Sequence, residues 1–222
     1  MQALKITAEL MTGFASSDPW SPAIDGILAY QFMREKLGDE EFSVRSHRSD
    51  KQEVVEGLPL GVERHGDLWW YQCSFPEYTS VAEVTRHTHR RFDARQAEKY
   101  WGTPGKSGKV LVAAGPYKNA RLKVRQHVTP RVSWHCIGDQ AEIERLLARV
   151  THIGARIGAG YGRVRRWVVE PSDCEHAARF RRGLPVAFAS EHGLEGMQVI
   201  HGIRPPARHP DNKTLCVMVE YG

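Results

Sequence analysis

Between His152 and Pro171 the chain reads HIGARIGAGYGRVRRWVVEP, with Gly154, Gly158, Gly160 and Gly162 falling within nine residues. Glycine takes positive φ without strain and lets another backbone approach closely. Consecutive N–H groups in such a loop can form a nest that binds an anion. Tyr161 supplies a face for stacking, and Arg156, Arg163, Arg165 and Arg166 supply charge-assisted hydrogen bonds. The chemistry on offer is therefore capture of a phosphate, with Arg156, Gly158, Gly160, Tyr161, Gly162, Arg163 and Arg165 as the candidate contacts. An adjoining helix C-terminus is mildly unfavourable for an anion, so the arginines must outweigh that dipole. A tight helix-to-strand turn with solvated arginines accounts for the same letters, and composition alone does not separate the two.

A second stretch carries the charge that a longer polyanion needs. Residues 1–85 hold 7 basic and 14 acidic side chains, residues 86–131 hold 12 and 2, and residues 132–222 hold 12 and 10. The net +10 of the middle block stands inside a chain of formal charge +5. A merely solvated face mixes signs to limit self-repulsion, whereas a one-signed block is the footprint of nucleic-acid binding. Candidates within it are Arg86, His87, His89, Arg90, Arg91, Lys118, Arg121, Lys123 and Arg125. In RLKVRQHV, alternation sends Arg121, Lys123 and Arg125 to one face of a strand and Leu122, Val124 and Gln126 to the other.

Other chemistries fit less well. GTPGKSGK resembles a phosphate-binding P-loop, but the glycine that pattern requires five residues before Gly105 is Tyr100, and no apolar strand precedes it. His87 and His89 share a strand face, yet no carboxylate or cysteine stands at ligand spacing and Arg86, Arg90, Arg91 and Arg95 surround them, which disfavours a cation. A histidine such as His47 or His87 could serve as a base that cuts RNA at a 2′-hydroxyl. No second group is paired with either in sequence. Serine-hydrolase and zinc-protease motifs are missing from the sequence, and no cofactor is implied.

The elements that must position these groups follow from periodicity. LKITAEL alternates Leu4, Ile6, Ala8 and Leu10, a half-buried strand. AIDGILAYQFMREKLG has helical spacing and a C-terminal stop at Gly38, with Gly26 marking close packing on a neighbour. Residues 39–67 are polar and irregular; LWWYQCSF, KVLVAAG, ARLKVRQHV and RVSWHCIG are strands. DQAEIERLLARVTHI is the strongest helix, opened by a capping-box pair Asp139/Glu142 and striped by Ile143, Leu146, Leu147, Val150 and Ile153. RVRRWVVE is a strand, CEHAARFRRG a short helix and TLCVMVEYG a final strand. The order strand, helix, strand, strand, helix, strand predicts an α+β fold with a ferredoxin-like, RRM-like core.

At 222 residues and 41% hydrophobic composition, the chain can bury a sizeable core. No run approaches the roughly 18 apolar residues of a membrane helix, and the opening MQALKITAEL has no signal-peptide pattern, so a cytoplasmic protein with no membrane partner is expected. Cys73, Cys136, Cys174 and Cys216 are widely spaced and predict buried, reduced thiols.

The glycine loop after the second helix, with IDGILAY and LKITAEL, resembles the RAMP superfamily of CRISPR RNA-binding proteins. It is most similar to the Cas-five-type subunit of type IV effector complexes. The resemblance covers about residues 1–37 and 119–171. It implies a single RAMP domain over 1–222, with 76–130 a thumb-like basic insertion and 172–222 a C-terminal extension. It further implies a noncatalytic subunit that caps the 5′ handle of the crRNA. Its partners would be the backbone and large subunits, with target DNA near its recognition motif left open. The handle would meet Gly158, Gly160, Tyr161, Gly162 and Arg163. Two alternatives stand: a processing endoribonuclease of the same superfamily, using His47, His87 or Arg90, and a generic RRM-like module that stacks bases on WWYQCSF.

Overall fold

The computed structural model describes residues 1–16, 18–46, 53–93, 113 and 118–219. The expected glycine-rich tip at 102–109, Arg95, His47 and, apart from Ala113, the expected strand at 109–115 lie outside the described residues.

The architecture is mixed α+β. Strand β1 (Gln2–Leu10) lies antiparallel between β7 (Arg131–Gly138) and β8 (Val164–Pro171). Leu4, Ile6 and Ala8 on β1 pair with Cys136, Trp134 and Val132, so alternate residues of both strands turn one apolar face inward. Helices α1 (Ile24–Leu37) and α3 (Gln140–Leu147) belong to the same buried cluster through Ile24, Leu28, Ile143, Leu146 and Leu147. The helices are tied at the surface by Arg145, which donates to Glu35 at 2.8 Å. Gly38, at φ +78°, returns its N–H to the Arg34 carbonyl and ends α1 as expected.

Helix α3 is shorter than its apolar stripe implies. It stops at Leu147, and Val150 to Ile153 instead run back along the start of β8. Ile153 N–H donates to the Gly162 carbonyl and Val164 N–H to the Thr151 carbonyl, at 2.9 Å each, while Trp167 Nε1 donates to the Val150 carbonyl. These bonds to the next strand replace the last helical turn. Asp139 caps the Glu142 N–H, but the reciprocal half of the box is not made, because Asp139 N–H donates to the Pro59 carbonyl.

LWWYQCSF divides. Its first half is β4 (Leu68–Tyr71), paired in a hairpin with β3 (Val62–His65), and its second half runs irregularly along the outer edge of β7. Bridges there join Cys73 to Cys136 and Glu77 to Ser133. The polar stretch 39–67 is more ordered than its composition suggests, with α2 (Asp39–Ser46) as well as β3. A second core forms around Trp70. It is built by α4 (Glu175–Phe180), α5 (Val186–Glu191) and a sheet of β9 (Gly183–Pro185), β11 (Lys213–Met218) and β10 (Met197–Gly202). Trp70 and Tyr71 are buried there and in the first core, and Arg204 covers Trp69 at 4.7 Å. The stacking platform of a generic RRM is therefore not on offer from these rings.

Three cysteines are buried as expected, with burial holding the Cys136 thiol up at about 12, but Cys174 is exposed at the start of α4. Glu77 joins the two halves: Arg181 donates to it and His135 Nε2 lies 3.6 Å away. The adjacent His135 imidazole, then the hydrogen bond from Arg181, hold its carboxyl at about 2, below its ordinary 4.5. A depressed carboxylate stabilises the fold above its unfolded pKa and loses that contribution as pH falls through the folded value. The stability gap between the wild type and Glu77→Gln should therefore shrink between about pH 4.5 and 2. Urea denaturation across that window measures it, and a constant gap would contradict the assignment.

Candidate nucleic-acid interface

The basic block forms a long antiparallel hairpin, β5 (Ala82–Arg90) and β6 (Ala120–Val128). Its register pairs His87 with Lys123, His89 with Arg121 and Thr85 with Arg125. Directly paired residues share a face, so His87, His89, Arg121, Lys123 and Arg125 form one exposed basic patch. Successive cations on β6 stand about 7 Å apart along the strand. Among the described residues no carboxylate sits within ion-pair distance of Arg121, Lys123 or Arg125. Arg86 and Arg90 pair with Val124 and Ala120 on the opposite face. Arg90 donates from Nε and Nη2 to the Lys118 carbonyl, at 3.2 and 3.1 Å, and so closes the end of the hairpin. Arg91 and Lys118 are exposed just beyond it.

The expected alternation along β6 breaks at its base. His127 follows the cationic face but is buried, stacked on Phe14 at 5.3 Å and edge-on to Tyr78. Its Nδ1 lies 3.2 Å from Glu83. Phe14 belongs to β2 (Phe14–Ala15), which pairs with His127 and Gln126 and extends the hairpin sheet. Ala15 bridges in turn to Ala155, inside the glycine loop. Two residues thus join the basic hairpin to the loop, and the two regions singled out in the sequence are continuous in the structure.

Within the loop the glycines divide by role. Gly162 has φ +67° and its N–H donates to the Gly13 carbonyl; a Cβ there would lie 1.9 Å from the Ile153 carbonyl oxygen. At Gly158 and Gly160 a Cβ would meet nothing within 4 Å, although Gly160 has φ +82°. Gly162 is a packing glycine, whereas Gly158 and Gly160 leave an open surface. The anion nest expected from the sequence is largely filled. N–H groups of Ala155, Ala159, Gly160 and Gly162 donate to carbonyls of the protein. Thr12 Oγ1 accepts from Arg163 N–H and donates to the Gly160 carbonyl, at 2.9 Å each. Thr12 is a residue the sequence reasoning did not single out; its place just before Gly13 and β2 is its one sequence signal.

The loop side chains carry what remains. Arg156, itself at φ +60°, and Arg163 and Arg165 are exposed, and Tyr161 is half-buried. Arg166 is removed from the set, because it clamps Glu9 with two bonds of 2.7 and 2.9 Å, which hold the Glu9 carboxyl below its usual range. Residues 2–220 match the family model described as CRISPR type IV associated protein Csf3. The chain belongs to the Csf3 family. No curated protein matches it. Among solved structures it is similar to a chain of the cryo-EM type III-B Cmr-beta complex bound to cognate target RNA. There the identity is 10% and the TM-score 0.34, over 77% of this chain and 61% of that one. It is also similar to a CRISPR protein from Archaeoglobus fulgidus, at 14% identity and TM-score 0.28, over 76% and 64%. The chain thus spans less than two thirds of either, and both likenesses are remote.

For this Csf3-family chain, the glycine roles predict two different outcomes. Gly162→Ala combines a backbone overlap with a left-handed conformation and should lower stability by about 1–3 kcal/mol. Gly158→Ala should leave stability within about 0.5 kcal/mol. Thermal melts of the two variants check both, and equal losses would contradict the division of roles. Among the described residues no helix is long and apolar enough to cross a membrane.

Proposed function

We propose that this chain is a noncatalytic subunit of a type IV CRISPR effector complex that holds the 5′ handle of the crRNA. The observation that carries the reading is the backbone junction of the arginine-bearing loop with the basic hairpin through Phe14–Ala15. The two groups of cations together suit several successive phosphates. The strand order β8–β1–β7, the irregular run along β7 and the two helices in one core support a ferredoxin-like domain. Residues 76–130 would then be its thumb-like insertion and 172–222 its C-terminal extension. Backbone and large subunits of the complex are the protein partners proposed with it.

Holding is favoured over cutting by the histidines. His87 and His89 stand exposed among cations, and among the described residues no carboxylate is paired with either ring to orient it as a general base. Repeat RNA incubated with the protein without metal should remain intact, while filter binding at physiological salt retains the handle-bearing strand. A discrete cut that His87→Ala abolishes would replace this reading with the endoribonuclease. Failure to retain the RNA would remove it.

A further inference from the structure

A cavity of about 560 Å³ opens at the seam between the two hydrophobic cores, lined by residues that the RNA-holding surface does not use. Gly26, Ala29, Tyr30 and Met33 of α1 line it. Trp20, Phe75 and His201 also line it, their rings in mutual contact at centroid distances of 5.5 to 6.4 Å. Asp25 and Arg182, each 5% exposed, bring a buried carboxylate and guanidinium to the same space.

Two observations mark this cavity as a site. The first concerns Gly26. The sequence pattern suggests close packing at this helical glycine, but a Cβ there meets nothing within 4 Å and its φ is ordinary. Helix propensity favours alanine by up to about 1 kcal/mol, and no neighbour opposes it. What glycine leaves is room at the cavity wall. The second concerns Asp25. Among the described residues its Oδ1 accepts one hydrogen bond, from Gly26 N–H at 2.7 Å, and its Oδ2 lies 3.6 Å from Arg182, beyond hydrogen-bond range. Arg182 donates instead to the carbonyls of Tyr71, Cys73 and Ile203, and its Nε has no partner among the described residues. A buried carboxylate so sparsely satisfied keeps acceptor capacity, which burial makes costly to leave unused.

We infer that the cavity takes a guanine base, packed against Trp20, Phe75 and His201, with its N1–H and N2–H donated to Asp25. The volume suits a nucleoside. Guanine alone among the four RNA bases sets two donors side by side, matching the two oxygens of a carboxylate. Adenine and cytosine would turn an acceptor against it, and uracil brackets its one donor with two acceptors. Burial, and then Arg182, hold the His201 imidazole towards its neutral form, able to donate or accept at the base edge. The ionic groups lining the cavity, Asp25 and Glu53 against Arg182 and Arg204, balance, so it favours an uncharged base over a phosphate.

The inference does not rest on the RNA-holding reading. Guanosine binding without handle affinity, or the reverse, separates the two. The test is calorimetric titration of the full chain with guanosine, inosine and adenosine, alongside short single-stranded RNAs that differ in one G or A. Expected is saturable binding of guanosine, weakened about tenfold for inosine, which lacks the N2 amine, and still weaker for adenosine. If the base comes from RNA rather than a free nucleoside, the G-bearing strand alone shows the preference. Gly26→Leu, which plugs the cavity and leaves the hairpin untouched, should remove the preference without lowering the melting temperature. No preference for guanine over adenine from either source, or one that survives Gly26→Leu, overturns the inference.

Discussion

Replacing Arg121, Lys123 and Arg125 together by alanine is expected to weaken handle RNA binding about 50-fold at 0.15 M salt. The three side chains share one exposed face of β6, and none is engaged by a carboxylate among the described residues. Each phosphate they neutralise on a single strand contributes about 0.7 to the slope of log K against log salt. Losing three contacts should therefore flatten that slope by about 2, and the wild type and variant should converge towards 1 M salt. Stability should change little, because exposed cations on one face repel one another and hold no core group. Fluorescence anisotropy over a salt series reads slope and affinity together. A drop in affinity with an unchanged slope would mean that the hairpin acts through shape and not through phosphate neutralisation. An unchanged affinity would move the interface elsewhere.

Periodicity located the parts of this fold whose register is set locally. Leu4, Ile6 and Ala8 on β1, the alternation from Arg121 to Arg125, and the Gly38 stop of α1 follow from spacing of two or from a backbone angle. What the one-dimensional pattern missed depends on partners far away in the chain. Val150 and Ile153 have helical spacing, but the bonds to Gly162 and from Trp167 draw that segment towards β8. Trp70 is aromatic enough for a stacking surface, yet the C-terminal sheet covers it. At the interface, composition identified the loop and the hairpin but not their junction. Phe14–Ala15 and Thr12 carry no charge and no motif, and the bonds they make span more than a hundred residues. The fate of Arg166 was hidden for the same reason, since Glu9 reaches it only through the β1–β8 register.

Arg182→Ala should be among the most destabilising single changes in the chain, costing about 3–5 kcal/mol. The guanidinium is 5% exposed and lies between the two cores, where it donates to Tyr71 and Cys73 beside β7 and to Ile203 beside the C-terminal sheet. Removing it leaves those carbonyls short of a donor and Asp25 without a counter-charge, and a carboxylate only 5% exposed regains little solvation from the cavity beside it. The penalty is mainly that of the groups left behind and not the intrinsic worth of the ion pair. Combining Arg182→Met with Asp25→Leu should consequently cost less than Arg182→Ala alone, since no unpaired charge remains. For a chain of this size the single variant should melt roughly 10 °C below the wild type. Urea denaturation of the three proteins decides it. A loss under about 1 kcal/mol for Arg182→Ala would mean that water reaches this seam, and a double variant worse than the single would mean that the pair itself holds the cores together.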